Sequence, residues 1–188
     1  MVFSSHLFLY YFLPLALGVY YVLPRRARHL GLTALSYAFY GWANPAFTLL
    51  MLTSTVVDYA CGLWIVGGAS AARRGTPLER GGARSRAQRS AVAVSVATNL
   101  ALLGFFKYFD FAVDSANALL AAVGLSHLGL ETALHVVLPL GISFYTFQSM
   151  SYTIDVYRGD AAALADPIDF ACYVSLFPQL VAGPIIRF

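Results

Sequence analysis

Charge is scarce in this 188-residue chain: Asp, Glu, Lys and Arg make up 11% of it, while 59% is hydrophobic. Soluble domains carry about 25% charged residues, so an ordinary water-exposed fold is excluded. Cysteine is limited to Cys61 and Cys172, both in apolar stretches without companion ligands. They support neither a disulfide nor a metal site, and read as small buried hydrophobes. No glycine-rich phosphate loop, no metal-ligand spacing and no Ser-His-Asp or Cys-His pairing occurs. Histidine is sparse as well. His6 and His29 lie at the edges of apolar stretches, and His127 and His135 lie in a polar interruption. No histidine stands inside an apolar stretch, which leaves no general base and no catalytic residue to name.

What the chain does have is apolar length. A helix needs about 20 apolar residues to cross a hydrocarbon core of ~30 Å. Five stretches approach that length: Leu7–Leu23, Leu30–Trp42 (short), Ala46–Gly68, Ala91–Phe106 and Val136–Ile154, with a sixth, Ile168–Ile186, broken by prolines. Because lipid cannot satisfy backbone polar groups, these are expected as helices rather than open strands. The expected fold is all-α: one polytopic integral membrane domain over 1–188 with about five to six membrane segments. The N-terminus lacks the basic stretch and small-residue cleavage pattern of a signal peptide, so the first apolar stretch reads as an anchor.

The basic residues set an orientation. Arg25, Arg26 and Arg28, six arginines in the loop 70–90, and Arg158 fall on one side if the spans alternate. Lys107 falls on the other, and Arg187 ends the last segment. The positive-inside rule makes the arginine side cytoplasmic and places the N-terminus outside. The loop 70–90 is then a flexible cytoplasmic linker, chiefly a topology signal, with attraction to anionic lipid or an acidic partner as the alternative. Residues 107–135 read as an outer interfacial helix, starting near Asp110 and Asp114, followed by a loop. The net charge of +3 comes from short loops between spans and gives no support to nucleic-acid binding; membrane lipid is the expected partner.

Several polar residues stand where lipid would not tolerate them alone. With the stretch from Gly141 to Asp155 as a helix, Gly141, Tyr145, Gln148, Tyr152 and Asp155 share an arc of about 80° and form a stripe roughly 21 Å long. Such a stripe faces protein or a water-filled cavity, either as interhelical glue or as a path lining. Asp58 lies deep in Ala46–Gly68 and requires a partner that sequence does not identify; a structural hydrogen bond and a relay role both fit. Pro178, Gly183 and Pro184 interrupt the last segment, which reads as a broken or re-entrant element with Gln179 and Arg187 as polar contacts, or as a proline kink.

Two stretches carry more than composition. One reads Leu138-Pro-Leu-Gly-Ile-Ser-Phe-Tyr-Thr-Phe-Gln-Ser-Met-Ser-Tyr-Thr-Ile-Asp-Val-Tyr-Arg158, and the other Phe177-Pro-Gln-Leu-Val-Ala-Gly-Pro-Ile-Ile-Arg187. With Met1-Val-Phe-Ser-Ser5, Tyr37-Ala-Phe-Tyr-Gly-Trp42, Val57-Asp-Tyr-Ala-Cys-Gly62 and Phe105-Phe-Lys-Tyr-Phe-Asp-Phe111, they resemble the membrane-bound O-acyltransferase (MBOAT) family, in its alginate O-acetyltransferase-like branch. The resemblance implies part of a funnel of membrane helices. It also implies acetyl transfer from a cytoplasmic thioester, acetyl-CoA or another, toward an extracytoplasmic polysaccharide such as alginate at the bacterial inner membrane, assisted by partner proteins outside. No cofactor is implied beyond that donor substrate. The family's histidine lies beyond the region matched, so the chain reads as an N-terminal portion that is inactive alone. Tyr145, Gln148, Tyr152, Asp155, Arg158, Gln179 and Arg187 are the expected path-lining residues, and Asp58 the expected internal anchor. A small transporter or a non-catalytic membrane subunit is the competing reading.

Overall fold

A computed structural model describes residues 6–43, 45–124, 138–139 and 141–182. Among them the only regular structure is helical. A π-helical turn at Phe8–Phe12 leads into α1 (Leu13–Val22), and a 3-10 turn at Arg25–Ala27 leads into α2 (Arg28–Ala43). Then follow α3 (Pro45–Val66), the short α4 (Ala69–Ala72), α5 (Arg86–Ala122), α6 (Ile142–Arg158), α7 (Pro167–Ser175) and α8 (Phe177–Ala182).

Helices α3, α5 and α6 pack on one another as the inner layer; α7 packs against α2 and α3, and α1 lies outside on α2. The core joins Met51 and Ile65 of α3, Ala91 and Leu103 of α5, Tyr145, Tyr152 and Val156 of α6, and Phe170 and Val174 of α7. A second cluster of Phe8, Phe12, Phe39 and Phe177 clamps the N-terminal turn to α2 and α8, with Phe12 and Phe177 edge-on at 5.2 Å.

The polarity of the bundle is inverted relative to a water-soluble domain. Asp58, Ser54, Ser95, Asn99, Ser149 and Thr153 are buried, while Leu49, Val56, Trp64, Leu100, Phe105 and Leu119 are exposed. Large apolar side chains on the exterior, with a buried polar cluster inside the core, fit lipid as the surrounding solvent. Among the described residues two helices, α3 with 22 residues and α5 with 37, are long and apolar enough to cross a membrane, and Phe8–Val22 is a shorter apolar stretch. The remaining stretches expected as spans fall on shorter helices: α2 has 16 residues and α6 has 17.

Two of the connections differ in form from the expectation. The helix expected to start near Asp110 is continuous with the apolar stretch before it: α5 runs unbroken through Ala122, about 55 Å at 1.5 Å per residue. No glycine or proline separates Phe105 from Val123, so nothing stops the helix there. The loop part of that region falls on residues 125–135, outside those described.

The arginine-rich segment is tied down rather than a free linker. Ser85 caps α5 in a reciprocal capping box with Gln88, whose side-chain amide also donates to the Ile65 carbonyl at 2.9 Å. Arg84 donates to the carbonyls of Tyr157 (2.6 Å), Glu79 (2.8 Å) and Arg158 (3.1 Å), and Arg80 pairs with Asp160 at 3.0 Å. These contacts gather the segment and the C-terminal end of α6 at one end of the bundle. Gly159, at φ +83°, closes α6, and a side chain there would strike the Leu78 carbonyl.

The break in the last segment falls at Leu176, between α7 and α8, just ahead of Pro178. Gly183, Pro184 and Arg187 lie outside the described residues.

Candidate functional site

The most connected polar feature lies where α3, α5 and α6 meet. Each of these helices contributes two polar side chains four residues apart: Ser54 and Asp58, Ser95 and Asn99, Ser149 and Thr153. Spacing of i, i+4 stacks each pair on one helical face, and packing turns the three faces together. Asp58 is fully buried near the middle of α3. The Ser95 hydroxyl donates to its Oδ1 at 2.6 Å, and the Asn99 amide nitrogen lies 2.9 and 2.8 Å from its two oxygens. The Ser149 hydroxyl, buried beside them, donates to the Thr146 carbonyl at 3.3 Å. The network continues outward: Ser54 donates to Asn99 Oδ1 at 3.0 Å, Ser95 and Thr153 share a hydroxyl bond at 2.8 Å, and Thr153 reaches the Ser149 carbonyl at 3.0 Å. Every member of this seam is buried, and removing a carboxyl's donors at such depth costs several kcal/mol. Chemically the seam is an acceptor held by donors on two other helices, an arrangement that fixes helix register.

A second junction joins α6 to α7 and α8. The Gln148 amide nitrogen donates to the Tyr173 carbonyl at 2.7 Å and to Gln179 Oε1 at 3.0 Å. Both Gln148 amide hydrogens are thereby used, and the Gln179 amide donors have no partner among the described residues.

Beside this junction, His29, Leu164, Asp169, Cys172, Tyr173, Leu176 and Gln179 line a cleft of about 320 Å³. At its rim His29 Nδ1 lies 2.6 Å from Asp169 Oδ1, joining the first turn of α2 to the first turn of α7, with side chains 58% and 41% exposed. A carboxylate on one ring nitrogen fixes the ring's orientation and leaves the other nitrogen for solvent or a ligand. The cleft therefore runs from an imidazole–carboxylate rim to an amide at its inner wall, with apolar side chains between.

The other expected site residues fall in several places. Tyr145 is buried with its ring edge-on to Tyr40 at 6.3 Å, and neither hydroxyl has a hydrogen-bond partner among the described residues. Tyr152 accepts from the Leu164 amide at 3.1 Å and packs its ring at a tilt against Phe170, centroids 4.5 Å apart. Asp155 is buried, and its backbone carbonyl receives the Gly159, Asp160 and Ala161 amides. Arg158 ends α6 exposed to solvent. The stripe from Tyr145 to Asp155 thus faces protein along its length, and Gln148 and Gln179 are brought together directly. Cys61 and Cys172 are free and buried. Among the described residues no group of three or more His, Cys, Asp or Glu side chains is placed to hold a metal.

Sequence reasoning found Asp58 but not its partners, and it left His29 unpaired. The three i, i+4 polar pairs in otherwise apolar helices were the signal available for the seam. No comparable signal joins His29 to Asp169, 140 residues apart.

Comparison with known proteins adds to this geometry. Over all 188 residues the chain is 46% identical to a probable alginate O-acetylase, AlgI, of Pseudomonas aeruginosa, covering 33% of that protein. It is 44% identical to the corresponding protein of Azotobacter vinelandii, covering 34% of it. A peptidoglycan O-acetyltransferase of Helicobacter pylori is 31% identical over 216 aligned residues, with the whole chain matched to 37% of that protein. No family model matches the chain, and no solved structure does. The resemblance to alginate-type O-acetyltransferases therefore holds along the whole chain, which spans about a third of the length of the curated relatives it matches.

Proposed function

We propose that this chain forms a portion of a membrane-bound O-acyltransferase that moves acetyl groups from a thioester donor in the cytoplasm to a polysaccharide outside. The observation that carries the reading is identity of 46% over all 188 residues to a protein named as an alginate O-acetylase. The relative named for peptidoglycan supports acetyl transfer to a cell-surface polymer as the shared chemistry and leaves alginate as one acceptor of that class.

In this reading the chain supplies wall and framework. The Asp58 seam holds α3, α5 and α6 in register, so that α6 presents a fixed face to α7 and α8. The Gln148–Gln179 junction and the His29–Asp169 cleft lie on that side, and the acyl path runs beside them. The arginine-rich end faces the cytoplasm, where the donor, acetyl-CoA or another thioester, enters; the N-terminus faces outward. Partner proteins on the outer face complete delivery to the polymer. The resemblance to the family implies that the reacting base belongs to another part of the enzyme, and the Asp58 carboxyl, enclosed by donors, serves as framework.

The test is chemical. The gene is disrupted in its native cell, and base-labile acetate on exported polysaccharide is measured. Loss of the ester, restored by the intact gene, is the expected result; unchanged acetylation rules the proposal out.

A further inference from the structure

The outer face of α1 carries a feature that acetyl transfer does not use. Pro14, Leu15, Gly18, Val19, Val22 and Leu23 line an apolar groove of about 460 Å³. Gly18 opens it: a side chain there would meet nothing within 4 Å. Val22, at the groove's end, is 85% exposed. From Pro14 to Leu23 the groove runs about 14 Å at 1.5 Å per residue, close to the ~15 Å of one hydrocarbon leaflet.

At the Leu23 end the charge changes abruptly. Arg25 and Arg26 stand in the 3-10 turn that follows, both exposed and without an ion pair or side-chain hydrogen bond among the described residues. Arg28 is committed elsewhere: its Nε donates to the Leu23 carbonyl at 3.3 Å, and its guanidinium lies 4.9 Å over the Tyr20 ring. It thus fixes the turn that joins groove to cations. No acidic residue precedes Asp58 in the sequence, and Asp169 of α7, which reaches the first turn of α2, is bonded to His29 rather than to either arginine.

We propose that the α1 groove and the Arg25–Arg26 turn bind an anionic phospholipid. One acyl chain lies along Gly18, and the phosphate sits on the two guanidiniums. Charge complementarity selects the occupant: a groove one leaflet deep, closed by two free arginines at headgroup level, matches a chain capped by an anion. A membrane helix from another part of a longer protein, or a second copy, would fill the apolar part and leave both cations unmatched.

The protein is placed in nanodiscs containing phosphatidylglycerol and phosphatidylcholine, and retained lipid is counted by native mass spectrometry. The expected result is selective retention of phosphatidylglycerol. R25Q/R26Q lowers that retention roughly 10- to 30-fold, at about 1 kcal/mol per arginine and 1.4 kcal/mol per tenfold. Gly18→Leu, which projects into open space and leaves the thermal midpoint unchanged, lowers retention of the same lipid by filling the groove. R73Q/R74Q, a control on the other arginine segment, leaves it unchanged. Equal retention of the two lipids overturns the proposal, as does an R25Q/R26Q variant that still selects phosphatidylglycerol. So does displacement of the lipid by inorganic phosphate alone, or disulfide capture of a second copy through Val22→Cys.

Discussion

Gly62 of α3 and Tyr152 of α6 approach so closely that a methyl group on Gly62 would lie 2.7 Å from the tyrosine hydroxyl oxygen. Tyr152 has little room to yield, being fully buried, packed against the Phe170 ring and bonded to the Leu164 amide. Gly62→Ala is therefore expected to cost about 1–3 kcal/mol through overpacking. Thermal unfolding in detergent measures it, and a companion Tyr152→Phe substitution is expected to restore none of the loss, because the ring Cε1 lies equally close at 2.7 Å and the Leu164 amide loses its acceptor.

Asn99→Leu removes the donor that spans both Asp58 oxygens and leaves the carboxyl with fewer partners at the bundle centre. The expected destabilisation is about 1–3 kcal/mol, the range for stranding a buried group. Ser54→Ala, which removes one outlying bond to Asn99, is expected to cost well under half as much. Equal losses in unfolding experiments would show that Asp58 does not organise the seam.

Gln148 and Gln179 are predicted to be coupled. Single leucine substitutions and the double variant form a cycle whose interaction energy is about 0.6 kcal/mol, the average for interhelical bonds in membranes, and at most about 1.7 kcal/mol. Additive stabilities would mean that the 3.0 Å contact carries nothing.

Arg84 holds three carbonyls through a planar fork that lysine does not reproduce. Arg84→Lys is expected to free the segment between α4 and α5 while leaving α3 and α5 intact. Limited proteolysis reads this directly: cleavage between residues 73 and 85 should rise several-fold in the variant and stay low in the parent.

Much of this organisation was legible beforehand, for identifiable reasons. The apolar stretches now in α3 and α5 were visible because lipid imposes length and low charge on a single stretch of chain. Asp58 stood out because a carboxyl in such a stretch needs a partner. Its partners were not legible, since nothing local states that α3, α5 and α6 meet. Only their shared i, i+4 polar spacing hinted at it. Asp110 and Asp114 misled because acidic residues suit a helix start, yet that preference is worth less than about 1 kcal/mol and an unbroken run of helix formers overrides it. The arginine-rich segment misled in the opposite way. Its composition reads as a free linker, while the open carbonyls at the end of α6 give Arg84 something to bind.

The central claim, that this chain belongs to machinery moving acetyl groups outward from a cytoplasmic donor, is tested most directly in membrane vesicles of defined orientation. Inverted vesicles from cells carrying the intact gene receive an acetyl-labelled thioester, which reaches only the cytoplasmic face. The account predicts base-labile label on lumenal polymer, absent from vesicles of the disrupted strain and from right-side-out vesicles given the same donor. Equal labelling with and without the gene, or labelling when the donor is offered only to the outer face, would contradict it.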